Sequence, residues 1–281
     1  MANPMLTDRS LKDASSWGRA SAGGADAVTQ WPPPGLGGPA APLDGGGTMT
    51  MRGTAAATGV LLVLLLISAG FGWVMTGGPE AINTATGVEY SYSIPIAAWV
   101  GVGIGVICVF ALWFKPRLAK FIAPIYALAE GFFVGAISRM YETAYDGIVV
   151  QAVGMTLAVF AVMLFLYAFR IIKVSDKFRR TVIFATLGIM VFYGLSFLVS
   201  LFAGRDSLRF LSSPSLLGIG FSVVVAVVAA LNLALDFDFI ERGERMGLHR
   251  DFEWYGAFGL LVTIVWLYLE LLRLLSKLRS R

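Results

Sequence analysis

Seven runs of about 20 apolar residues, separated by short polar stretches, constrain this chain more than any other feature. Coiled as a helix, a run of that length spans the hydrocarbon core of a bilayer. The runs lie at 55–75, 95–114, 121–140, 148–169, 181–202, 216–235 and 255–275. Each is continuously apolar, whereas the strands of a membrane barrel alternate apolar and polar over about 10 residues, so helices are expected and strands are given no place. The predicted fold is an all-α membrane protein, a bundle of seven transmembrane helices. Composition agrees: 57% of the 281 residues are hydrophobic and 14% charged, against roughly 45–50% and 25% in a soluble domain. The mean hydropathy of +0.75 excludes a water-soluble enzyme.

Ahead of the first run, residues 1–53 are rich in Gly, Pro and Ala, with Trp31-Pro32-Pro33-Pro34 and Gly45-Gly46-Gly47. Such a composition supports no core, so this segment is expected to be a disordered cytoplasmic tail and 54–281 the transmembrane domain. No apolar signal-peptide core precedes it, so the first span is expected to act as its own insertion signal. The net charge of +4 does not point to nucleic acid, because the basic residues flank the apolar runs instead of forming one patch. Cys108 and His249 are the single cysteine and histidine, too few for a disulfide or a His/Cys metal centre.

Lys and Arg in short loops are retained in the cytoplasm. The loop after the second run carries Lys115, Arg117 and Lys120, and the loop after the fourth carries Arg170, Lys173, Lys177, Arg179 and Arg180. Both belong inside, which places the N-terminus in the cytoplasm of an inner or plasma membrane. A seventh crossing then sends Arg273, Lys277, Arg279 and Arg281 outside, against the rule; a re-entrant last helix avoids the conflict, but a full crossing is preferred. Gly101 with Gly105 and Gly131 with Gly135 stand at helical spacing, where small residues let backbones approach closely.

An ionisable group inside a span costs roughly 2.5–3.5 kcal/mol at its centre, so each is a candidate functional residue. Glu130, Asp236, Asp238 and Glu270 qualify. Asp236 and Asp238 lie about 200° apart round a helix, so only one faces inward. Asp238 has Arg242 at i+4 as a partner, which leaves Asp236 for the interior. Glu270 has Arg273 at i+3. Glu130 has no base on its own helix and is expected to face the bundle interior. Enzyme readings fail on the residues available: Ser196 in the fifth run has no buried histidine near it, and two aspartates two positions apart on one helix make no dyad, whose partners come from two different helices.

The order of the spans, the segment from Tyr126 to Ser138, Leu235-Asp236-Phe237-Asp238, and Trp266-Leu267-Tyr268-Leu269-Glu270-Leu271-Leu272-Arg273-Leu274-Leu275 together resemble the Bax inhibitor-1 family, the transmembrane Bax inhibitor motif proteins, and within it a bacterial YccA-like branch. The resemblance runs from Thr54 to the C-terminus. It implies two three-helix units around a central last helix, and a calcium leak gated by protonation of an aspartate pair near the cytoplasmic ends of the sixth and seventh helices. A basic residue after the second helix, here Lys115 or Arg117, would lock the closed form. Asp236 matches the first aspartate. Anchoring on Leu271-Leu272-Arg273 places the second at Thr263, which does not titrate; a shifted alignment places it at Glu270, after which the chain ends too soon. The first alignment is preferred. The reading is a carboxylate-lined path for calcium or other cations, with Asp236, Asp238, Glu130, Glu270 and Thr263 along it and no resident cofactor. The rival that the resemblance also implies is a non-conducting interaction protein that modulates a membrane quality-control protease.

Overall fold

A computed structural model describes residues 47–77, 80–84, 87–91, 95–203 and 215–280. Most of the segment read as a tail, residues 1–46, lies outside the described residues. Seven helices among those described are long and apolar enough to cross a membrane. They are α1 (Met51–Met75), α2 (Ile96–Phe114), α3 (Ala119–Ala144), α4 (Ile148–Ala168), α5 (Asp176–Ala203), α6 (Leu216–Arg245) and α7 (Phe252–Arg279). A single 3-10 turn, Pro116–Leu118, joins α2 to α3.

Several helices outrun their apolar cores, for a local reason. The end of α6 continues to Arg245 because the pairs Asp238–Arg242 and Glu241–Arg245, each at i,i+4, hold its last turns together. The start of α5 moves back to Asp176, where the Ser175 hydroxyl accepts the Phe178 N–H at 3.2 Å. Two expectations need correction. The loop between α1 and α2 carries an antiparallel hairpin, β1 (Glu80–Thr84) paired with β2 (Gly87–Ser91); it lies outside the spans, where water can serve its edges. Residues 47–53 are not tail. Thr48 bridges His249, the Met49 N–H donates to the Leu248 carbonyl at 2.7 Å, and α1 begins at Met51.

The start of α1 is held by acids from elsewhere. Thr50 caps it, its hydroxyl accepting the Gly53 N–H at 2.9 Å, and the buried Glu253 of α7 accepts from both the Thr50 N–H (3.0 Å) and the Thr50 hydroxyl (2.9 Å). Glu244 of α6 accepts the Met51 N–H at 3.0 Å. Carboxylates at a helix N-terminus answer both its unpaired N–H groups and its dipole.

Helices α1 and α2 pack on α3, helices α4 and α5 on α6, and α7 runs between these two three-helix units, touching α1, α3, α4 and α6. Its central window is 67% buried, against 17–44% in the other six. The tightest contact is α1 on α3: a Cβ at Gly131 would strike the Leu65 carbonyl, one at Gly135 the Ala69 carbonyl, and one at Gly72 the Phe132 carbonyl. Small residues here set the distance between helices, as their spacing suggests. As one unbroken helix, α7 starts beside Met49 and Leu248 and ends where Arg279 donates to the Asp146 carbonyl in the α3–α4 loop, so it traverses the bundle and is not re-entrant.

Candidate functional site

Asp236 lies on α6 about 13 Å short of the helix end at Arg245 and is 1% exposed. Asp238 points the other way, where Arg179 Nη2 of α5 (2.8 Å) and Arg242 Nε (2.9 Å) bind the same oxygen. The Arg242 partner follows from i,i+4 spacing; Arg179 comes from another helix and carries no local signal. Asp238 is therefore an ion-paired residue on a different face of α6, not a member of the Asp236 site.

The group that Asp236 faces on α7 is Thr263, within hydrogen-bonding reach of its carboxyl. Thr263 is fully buried and its hydroxyl donates to the Gly259 carbonyl at 3.2 Å. That one hydroxyl hydrogen is directed at Gly259, and a charged Asp236 would compete for it. Glu270, the residue of the other alignment, stands a further two turns along α7, about 10 Å away along its axis.

One turn from Asp236, the buried Asn232 donates both amide hydrogens, to Thr186 Oγ1 of α5 (3.0 Å) and to the Val228 carbonyl (2.8 Å). Val228 only accepts, so the amide is correctly oriented and Oδ1 must face elsewhere. Among the described residues, two buried side-chain atoms have no hydrogen-bond partner, Asn232 Oδ1 and Asp236 Oδ2. Buried polar atoms are usually paired, and each orphan costs about 1–3 kcal/mol. These two lie one turn apart on one helix. Asn232 and Thr186 are residues that the sequence reading did not include; the only signal was that Asn232 precedes Asp236 by four positions.

Two other candidates fall outside this cluster. Glu130 is partly buried between α2 and α3, its Oε2 only 3.2 Å from where a Cβ at Gly105 would sit, and it does not face the Asp236 region. Glu270 is 2% exposed and fully answered: Arg273 Nη1 lies at 3.2 Å, and the Tyr193 hydroxyl of α5 donates to it at 3.2 Å. Arg273 Nη1 also donates to the Tyr193 oxygen at 2.6 Å. The expected basic lock is not seen among the described residues. Lys115 and Arg117 are exposed on the loop after α2, and neither is among the groups that act on Asp236.

Thr263, Glu270 and Lys277 stand seven residues apart on α7, so they share one face, and all three are at most 3% exposed. Lys277 Nζ donates to the Gly218 carbonyl (3.0 Å) and to Ser222 Oγ (2.8 Å) of α6. A polar seam thus follows the α6–α7 contact from Asp236 to Lys277. Its Asp236 end offers a carboxylate, an amide oxygen and two hydroxyls from three helices, the oxygen donors that hard cations prefer, though calcium usually takes about six to eight. Among the described residues no three His, Cys, Asp or Glu side chains gather into a metal-binding group.

No curated protein matches this chain. A family model described as Bax inhibitor 1 like matches residues 3–280, including the N-terminal segment that lay outside the resemblance. With seven membrane-spanning helices arranged as two triplets about a central last helix, the chain belongs to the Bax inhibitor 1 like family.

Proposed function

We propose that this multi-pass membrane protein is a slow, non-enzymatic cation leak, calcium being the ion that the family resemblance implies, and that the charge on Asp236 governs its rate. The observation that carries this reading is the pair of buried side-chain oxygens, Asn232 Oδ1 and Asp236 Oδ2, the two without a hydrogen-bond partner among the described residues. A dehydrated cation supplies what those oxygens lack. Among the described residues no base forms an ion pair with Asp236, and on this reading acid acts by neutralising a cation ligand rather than by opening a lock. Flux should therefore fall as pH falls. With Thr263 where a second aspartate is expected, one carboxyl titrates, and the pH dependence should be shallower than that of a coupled pair.

The test is ion flux in liposomes holding the purified full chain, with calcium, sodium and potassium compared from acid to neutral pH. Asp236→Asn should abolish the pH dependence, and Asp238→Asn should leave it. Flux no greater than that of empty liposomes would overturn the leak; unchanged pH dependence in Asp236→Asn would overturn the role of that residue.

A further inference from the structure

A cleft of about 770 Å³ lies on the far side of α6 from Asp236. Its charged α6 residues Asp238, Glu241 and Arg245 are roughly 200°, 140° and 180° round the helix from Asp236, and Ile240, about 40° round, is where the lining comes nearest to the seam described above. It forms because α1 and α4 both pack on α7 yet scarcely touch each other. Aromatic and aliphatic groups line the inner part: Phe160 and Tyr167 of α4 each pack on Phe237 with ring centroids 5.7 Å apart, and Leu164 and Leu260 complete it.

The mouth is basic. Arg170 Nη2 (3.4 Å) and Arg245 Nη2 converge on the same oxygen of Glu241, and the Tyr167 hydroxyl donates to the other oxygen. One carboxylate thereby holds two guanidinium groups side by side, and each has five N–H donors. Lys173 joins them, and the whole lining carries four basic residues (Arg170, Lys173, Arg242, Arg245) against two acidic ones (Asp238, Glu241). Phe160 lies eight residues before the end of α4 at Ala168, just ahead of Arg170, so the apolar wall extends about 12 Å below the basic mouth. An anion with a hydrocarbon chain matches both parts. A soluble anion leaves the apolar wall in contact with water, and a zwitterionic lipid leaves the excess positive charge unanswered.

We propose that this cleft seats one anionic phospholipid, with its phosphate on Arg170, Arg245 and Lys173 and an acyl chain along Phe160, Leu164 and Leu260. The measurement is native mass spectrometry of the full chain titrated with phosphatidylglycerol and with phosphatidylcholine of the same acyl chains. Phosphatidylglycerol should be retained in preference, and each charge removed in Arg170→Gln, Lys173→Gln and Arg245→Gln should weaken it about fivefold, with phosphatidylcholine unaffected. Leu164→Trp, which fills the apolar wall without touching a charge, should weaken both lipids. Lys115→Gln with Lys120→Gln, on the loop after α2 and the first turn of α3, should change neither. If the triple variant does not fold, Lys173→Gln and Leu164→Trp, both at exposed positions, carry the test. The proposal is overturned if the charge variants hold phosphatidylglycerol as tightly as the parent protein. It is equally overturned if glycerol phosphate, which has no chain, displaces the lipid, or if deleting residues 2–46 raises lipid binding, because the occupant would then be a free anion or the N-terminal segment.

Discussion

Asp236 and Glu270 are carboxylates on the same α6–α7 seam, each at most 2% exposed, and they differ in what answers their charge. Around Glu270 a ring closes: Arg273 at i+3 and Tyr193 from α5 bind the carboxyl, and Arg273 binds Tyr193. Around Asp236 there is a threonine hydroxyl directed at Gly259 and an oxygen with no donor among the described residues. A closed buried network holds helices in register, and removing one member leaves a charge stranded in a low dielectric. An open one is costly to the fold and is the place where a proton or an ion changes most.

The largest expected effect breaks the closed ring. Arg273→Leu strands Glu270 and should cost about 3 kcal/mol, the low end for a buried pair, because Arg273 keeps 37% of its side chain exposed. Thermal melts of the purified protein would measure it. Asp236→Asn should shift stability by less than about 1 kcal/mol, since it removes a charge that no ion pair among the described residues answers; a loss equal to that of Arg273→Leu would erase the contrast between the two sites. Next in size is Thr263→Asp, which sets two carboxylates face to face. It should destabilise by about 2 kcal/mol at neutral pH and be relieved by acid, while the pH dependence of flux becomes steeper.

Smaller effects sharpen the same comparison. Lys277→Met removes both donors from Gly218 and Ser222 and should cost about 1–2 kcal/mol by the same melts. Asp238→Asn weakens its bonds to Arg179 and Arg242 and should cost about 1 kcal/mol. If that variant also flattened the pH dependence of flux, the assignment to Asp236 would be too narrow.

The two ends of α7 also account for the charge conflict in the sequence. Arg273, Lys277 and Arg279 stand at the end away from the basic loops, yet each is bonded within the protein, to Glu270 and Tyr193, to Gly218 and Ser222, and to the Asp146 carbonyl. The orienting rule concerns charges in loops. These three hold the fold together.

What the sequence determined alone was whatever depends on distance along one helix. Seven apolar runs meant seven helices, a two-residue offset put Asp236 and Asp238 on different faces, and spacings of three and four paired Glu270 with Arg273 and Asp238 with Arg242. The tertiary structure decided everything that crosses between helices: Thr263 opposite Asp236, Arg179 on Asp238, Thr186 on Asn232, Glu253 over the start of α1, and Glu130 against Gly105. The physical reason is that the α-helical repeat states each side chain's angle about its own axis. The rotation and depth of that axis among its neighbours come from packing, here from glycines that bring α1 onto α3 and from a central α7 touched on several sides.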